Sequence, residues 1–144
     1  MELRNKSATY EYFIEEKYEA GMILTGTEVK SLRNGTVSFT DSYCLLNNNE
    51  LFIKGLHISP YGPGSYANAP ATRERKLLLT KKEIQKIQQK LRDKGLTIIP
   101  LRIFFNDRGY AKIQIGIARG KKLHDKRESI KQREADREIK RFVK

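Results

Sequence analysis

The chain contains no tryptophan and a single cysteine, Cys44. One thiol excludes an intrachain disulfide framework and fits a reducing cytosol. Cys44 stands beside Leu45 and Leu46 in a strand-like run, so it reads as packing. Histidine is scarce as well. His57 and His124 lie far apart, with no cysteine or aspartate pair at metal-ligand spacing. His57 closes an apolar strand and reads as a satisfied edge residue rather than a base. The chain has no G-x-x-x-x-G-K-[ST] loop and no G-x-G-x-x-G turn after a strand, which removes two common nucleotide-binding signatures. The expectation is a protein without catalytic residues, metal site or cofactor. No stretch approaches the roughly 20 apolar residues that a membrane-crossing helix needs. The polar residues 1–10 predict no export signal, a cytoplasmic location and no membrane partner.

Acidic side chains are outnumbered. There are 29 Lys and Arg against 17 Asp and Glu, a net charge of +12 over 144 residues. Residues 119–144 hold 11 basic and 5 acidic side chains, a net of +6, so this end carries half of the surplus. Such a surplus favours a polyanion, because each neutralised phosphate releases condensed counterions. An acidic membrane surface is the weaker alternative, since no segment joins a basic face to a broad apolar one. The length fits one domain with a real core.

Residues 10–24 read as extended, with Tyr12, Phe13, Ile14, Tyr18 and Met22 set among acids. Thr25 then opens a short helix. Its hydroxyl can cap free amides while Glu28 reaches back to the Thr25 amide, Leu24 and Val29 flank the cap, and Gly35 supplies the stop. Residues 42–58 predict a hairpin around Asn47, Asn48 and Asn49, which tolerate left-handed backbone. Residues 59–72 hold Pro60, Gly62, Pro63, Gly64 and Pro70 and read as a loop. A second capping box, Thr80 with Glu83, opens a helix whose Ile84, Ile87 and Leu91 form a narrow apolar stripe and which Gly95 ends. Residues 96–105 and 110–118 predict a second hairpin, turned by residues 106–109. Ile113, Ile115 and Ile117 alternate with Lys112, Gln114 and Gly116, the period of a half-buried strand. Pro100 cannot donate to a ladder, which argues for an edge or a bulge there.

Many short strands with two to three helices predict a mainly β (α+β) fold, a small closed antiparallel barrel over residues 1–122. Residues 123–144 form a basic tail whose Ala135, Ile139, Phe142 and Val143 are too few to fold a helix alone. The tail is expected to be disordered by itself and helical when RNA neutralises its Lys and Arg. A tail docked permanently on the barrel is the alternative.

The positive features point to RNA. Thr72, Arg73, Arg75 and Lys76 form a basic cluster running into Leu77, Leu78 and Leu79, and Arg119, Lys121 and Lys122 end the last strand. Tyr10, Tyr12, Phe13, Tyr18, Tyr61 and Tyr66 offer aromatic faces to bases, although most of the first four are expected in the core. Glu15, Glu16 and Glu19 cluster in a basic chain, and a carboxylate can accept from base amino groups or 2′-hydroxyls. A permanent rRNA-binding protein and an RNA-modifying enzyme are the rival readings; the second lacks a base and nucleophile.

These residues also carry a resemblance. Glu11-Tyr-Phe-Ile-Glu-Glu16, Tyr18-Glu-Ala-Gly21, Leu24-Thr-Gly-Thr-Glu-Val-Lys-Ser-Leu-Arg33 and Asp41-Ser-Tyr43 resemble the small protein B family. So do Thr72-Arg-Glu-Arg-Lys-Leu-Leu-Leu79, Gly120-Lys-Lys122 and Asp125-Lys-Arg127. The resemblance implies an oligonucleotide-binding-type barrel that holds the tRNA-like domain of tmRNA and brings it to stalled ribosomes for trans-translation. It implies tmRNA binding by Asn5, Glu19 and Leu78, to which the basic cluster Thr72, Arg73, Arg75 and Lys76 is added. It also implies a tail that probes the empty mRNA channel and the small-subunit rRNA of the decoding centre. Gly120, Lys121, Lys122, Asp125, Lys126 and Arg127 match the motif beside that tail, and Lys131, Arg133, Arg137, Lys140 and Arg141 would meet phosphates along it. Alanyl-tRNA synthetase and elongation factor Tu would be reached only through tmRNA, by a monomer. Two departures stand out: Ala69-Pro-Ala-Thr-Arg73 replaces a shorter acidic version, and Ala135 stands where some relatives have a large aromatic residue.

Overall fold

Strands dominate the chain, of which the computed structural model describes residues 2–60 and 70–120. In order these are β1 (Glu2–Arg4), α1 (Ala8–Glu11), β2 (Tyr12–Met22), α2 (Gly26–Arg33), β3 (Val37–Ser38) and β4 (Tyr43–Asn47). Then follow β5 (Glu50–Lys54), β6 (His57–Ile58), β7 (Arg75–Leu78), α3 (Lys81–Lys90), β8 (Leu96–Phe105) and β9 (Ala111–Gly120). The mainly β class therefore holds, with three helices among the described residues.

Both longer helices start at the expected threonines. Thr25 Oγ1 accepts from the Glu28 amide at 3.2 Å, and Glu28 Oε1 accepts from the Thr25 amide at 2.8 Å. Thr80 and Glu83 repeat the pair at 3.2 and 3.1 Å. Each box satisfies amides that a helix start leaves open. Gly35 follows the Asn34 cap of α2 with φ 75°, a conformation that costs glycine little. The stop expected at Gly95 is a different matter, because α3 ends at Lys90 with Leu91 as its cap. Leu91 packs on the core, and Asp93 accepts from the Gly95 amide at 3.2 Å and from Arg119 at 2.7 Å. Tertiary contacts end this helix before its glycine. The extended reading of residues 10–24 also begins too early. Tyr10 and Glu11 belong to α1, whose Ala8 is buried with Ile99 and Ala118.

The main sheet has seven strands in the order β1-β8-β4-β5-β7-β2-β9, with β8 pairing β9 as well, and every pairing is antiparallel. In β9 the isoleucines Ile113, Ile115 and Ile117 have no exposed surface. They meet Leu51, Ile53, Leu77, Ile98 and Ile103 in one core, which Ile84 and Ile87 of α3 close from one side. Each such side chain contributes about 1.5–3 kcal/mol on burial. Pro100 sits at a bulge in β8, where the register to β9 shifts between Pro100 and Arg102. The first hairpin turns on Asn48 and Asn49, with φ 51° and 64°. It ends at Lys54, not at residue 58, because Gly55 (φ 75°) bends the chain and sends β6 to pair with β3.

Gly55 gives a test of this corner. A Cβ there would collide with the Asp41 carbonyl oxygen, on top of the left-handed backbone. Gly55→Ala is expected to lower the unfolding free energy by about 2–4 kcal/mol in urea titration. Asn48→Gly, at an exposed left-handed position, should leave it within about 1 kcal/mol; equal losses for the two would refute the assignment.

Candidate nucleic-acid interface

One buried carboxylate organises the edge of the site. Glu28 and Arg75 have 5% and 0% of their surface exposed. Glu28 Oε2 accepts from Arg75 Nε at 2.7 Å and Nη2 at 2.6 Å, while Glu28 Oε1 accepts from Arg73 Nη2 at 2.6 Å. The remaining Arg75 donors reach backbone oxygens: Nη1 those of Leu56 (2.8 Å) and Arg73 (2.9 Å), Nη2 that of Ala71 (3.0 Å). All five N–H groups of the guanidinium thus have acceptors. Burial pushes the Glu28 carboxyl up, but hydrogen bonds from Arg73 and the Thr25 amide and the charge of Arg75 outweigh it, leaving the pKa below the ordinary 4.5. Burial lowers the Arg75 pKa, which the Glu28 charge partly offsets.

This finding corrects the expectation for Arg75. Its side chain offers no surface to a phosphate. The run Thr72, Arg73, Arg75 and Lys76 reads as one patch in sequence, but the two-residue period of β7 divides it. Arg75 and Leu77 point inward, and Lys76 and Leu78 point outward. Thr72 is exposed, Arg73 is partly engaged by Glu28, and Lys76 forms an ion pair with Glu50. Leu78 is 51% exposed, which is unusual for a leucine in a strand beside the core.

The register then places other residues on the same outer face. Glu2 opposes Phe104, Phe104 opposes Lys112, Lys112 opposes Gly21, and Gly21 opposes Leu78. A second row runs Arg4, Arg102, Gln114, Glu19. Opposed residues of antiparallel strands project to one side, so five strands build a continuous surface. Arg102 sits at its centre. It donates to Glu2 at 2.9 Å and to Gln114 at 3.3 Å, lies 3.9 Å from Glu19, and covers the Phe104 ring at 4.3 Å. A Cβ on Gly21 would touch Leu78 and lie 4.0 Å from Lys112 Nζ, so the glycine keeps the surface open between them. The face combines an apolar floor, an ammonium, an amide and a carboxylate acceptor. That mixture suits unpaired bases, phosphates and 2′-hydroxyls.

Of the residues expected at the site, Glu19 and Leu78 therefore come together, whereas Asn5 lies at the β8 bulge, its amide donating to the Leu101 carbonyl. The acidic cluster separates: Glu15 and Glu16 reach Lys90 of α3 and Glu15 also Arg119, while Glu19 alone joins the outer face. Tyr12 and Tyr18 are partly buried as expected, but Tyr10 and Phe13 are exposed. His57 is exposed, and burial pushes the Cys44 thiol well above its usual range. Gly120 ends β9 opposite Tyr12. Lys121, Lys122, Asp125, Lys126, Arg127, Lys131, Arg133, Arg137, Lys140, Arg141, Tyr61 and Tyr66 lie outside the described residues.

Comparison with known proteins bears on this surface. The SmpB protein family model matches residues 2–144. The chain belongs to the SmpB family. The SsrA-binding protein of Moorella thermoacetica is 51% identical over 140 residues, spanning 97% of this chain and 90% of that protein. The SsrA-binding protein of Cytophaga hutchinsonii is also 51% identical, over 97% of this chain and 92% of its own length. A solved structure described as "tmRNA-SmpB: a journey to the center of the bacterial ribosome" matches with TM-score 0.72 and 52% identity, covering 83% of this chain and 84% of that one.

The SmpB motifs alone did not point to Arg102, Phe104, Lys112 and Gln114. For Lys112 and Gln114 the signal was present as the polar half of the same alternation that marks Ile113 and Ile115 as core. Glu28 gives the test of the site's edge. Its depressed pKa means that its contribution to stability is complete above about pH 4.5 and is lost as the pH falls through the folded value. Glu28→Gln should cost about 3–5 kcal/mol at pH 7, and the gap to wild type should close as unfolding is measured at progressively lower pH. A gap independent of pH would rule out the ion pair as its cause.

Proposed function

We propose that this chain is an RNA-binding adaptor of the cytoplasm that holds the tRNA-like domain of tmRNA and delivers it to stalled ribosomes for trans-translation. The observation that carries the reading is the likeness, at 52% identity, to the protein of a tmRNA-SmpB structure, together with the family match over residues 2–144. The outer face supplies the chemistry. Leu78 and Gly21 offer a flat apolar floor, Lys112 a charge for phosphate, and Glu19 and Gln114 acceptors for amino and hydroxyl groups. Arg73 and Lys76 add to the electrostatic hold and Thr72 offers a hydroxyl, while Arg75 supports them from inside.

The body is read as a closed barrel of oligonucleotide-binding type. This draws on the additional β8–β9 pairing, which joins the last strand of the sheet order back to the second. The role is one of binding rather than catalysis, consistent with the one thiol, Cys44, being buried. Residues 123–144 serve as the basic tail that enters the empty mRNA channel and meets small-subunit rRNA. In that channel Lys121, Lys122, Lys126, Arg127, Lys131, Arg133, Arg137, Lys140 and Arg141 neutralise phosphates, with Gly120 and Asp125 at the tail's root. The adaptor works as a monomer and meets alanyl-tRNA synthetase and elongation factor Tu through tmRNA.

A binding and tagging assay with three variants separates the two parts. Glu19→Ala and Leu78→Ala should each weaken binding to the tRNA-like domain about tenfold or more. Leu78 is half exposed, so its truncation leaves the fold intact. Removing residues 128–144 should leave that binding near wild type and abolish peptide tagging on stalled ribosomes. Body variants that bind normally would displace the site, and a truncated protein that still tags would remove the tail from the mechanism.

A further inference from the structure

The bulge in β8 has an unusual fastening. Around it Ile99 opposes Gly116 and Pro100 opposes Ile115, but the next pair is Arg102 with Gln114, so Leu101 is the extra residue. An extra residue makes two consecutive side chains share one face. Here they are Leu101, which packs with Ala8, Ile99 and Ala118, and Arg102, which joins the outer rows. Ile103 then returns to the core with no exposed surface. Without the bulge the register would slip by one, turning Arg102 inward and Ile103 outward.

One residue from elsewhere in the chain holds both carbonyls of this bulge. The Asn5 amide donates to the Leu101 carbonyl at 2.8 Å, and Asn5 Nδ2 donates to the Pro100 carbonyl at 2.8 Å. Asn5 Oδ1 in turn accepts from Ser7 Oγ at 3.1 Å. The side chain is half-buried, and its donor end is committed to the protein. Only an amide can both accept from Ser7 and donate to Pro100; a carboxylate of the same shape lacks the donor.

We infer that Asn5 is a positioning residue for the RNA face: it pins the Pro100–Leu101 bulge, which aims Arg102 outward, and Arg102 in turn sets Glu19. The hydrogen bonds from Arg102 to Glu2 and Gln114 and its approach to Glu19 complete the path from Asn5 to the site. This accounts for two residues remote in sequence, Asn5 and Glu19, serving one surface. The inference rests on the proposed RNA role of that surface, but its first test needs no RNA.

In the free protein, the Nε–H resonance of Arg102 should be resolved in wild type and shifted or broadened in Asn5→Asp, which keeps the backbone bond to Leu101 and loses only the side-chain donor. An unchanged Arg102 signal in a folded Asn5→Asp protein would overturn the inference. The second test is a double-mutant cycle on affinity for the tRNA-like domain. Asn5→Asp and Arg102→Ala should each weaken binding about tenfold, and the double variant no more than about twofold beyond either. Multiplicative losses, or no loss from Asn5→Asp, would mean that Asn5 does not act through Arg102. If the resonance responds but Arg102→Ala binds as wild type, the bulge assignment stands and the RNA reading of the face fails.

Discussion

The Glu28 carboxylate is the point on which the rest of the architecture hangs. As the third residue of α2 it caps the helix, and through Arg75 it fixes β7, the corner at Leu56 and the backbone at Ala71. Two arginines share this one acceptor group, so the cluster keeps a positive excess at the edge of β7. Desolvating such charges costs several kcal/mol per ion, repaid only where every donor is satisfied. The complete set of acceptors around Arg75 meets that condition. Because β7 is held from its inner side, its outer side chains Lys76 and Leu78 project at fixed positions.

Strand register extends that order across the sheet. With β7 held, Gly21 aligns with Leu78, Lys112 with Gly21 and Phe104 with Lys112. Residues from four strands beyond β7 thereby reach a face that no local segment could form alone. The affinity expected of such a face is divided between long-range charge, which the chain's net +12 supplies, and short-range fit, which these rows supply.

Much of the fold was legible from local rules. Thr25 with Glu28 and Thr80 with Glu83 announced two helices, and the isoleucines of β9 announced a half-buried strand. Pro100, with no amide to give, marked an edge or a bulge, and the bulge is what the register shows. What escaped depends on distant partners. Arg75 reads as a surface cation until Glu28, 47 positions earlier, is seen beside it. The end of α3 was set by Leu91 and Asp93 against the core and Arg119, not by Gly95. α1 is too short for periodicity to reveal, and its Ala8 matters only because Ile99 and Ala118 lie beneath it. Motif resemblance pointed to Asn5, Glu19 and Leu78; that Glu19 and Leu78 share a face, and that Asn5 bonds to the β8 bulge, follows from contacts between distant parts of the chain.

Hydrogen-exchange footprinting of the protein with and without the tRNA-like domain of tmRNA tests this account most directly. Bound RNA should slow exchange along the outer rows, at residues 2–5, 17–21, 76–78, 102–104 and 112–114. The inner partners around Glu28 and the α3 segment should be unaffected. Protection concentrated on α2 or α3, with the sheet rows unchanged, would contradict the assignment of the RNA face.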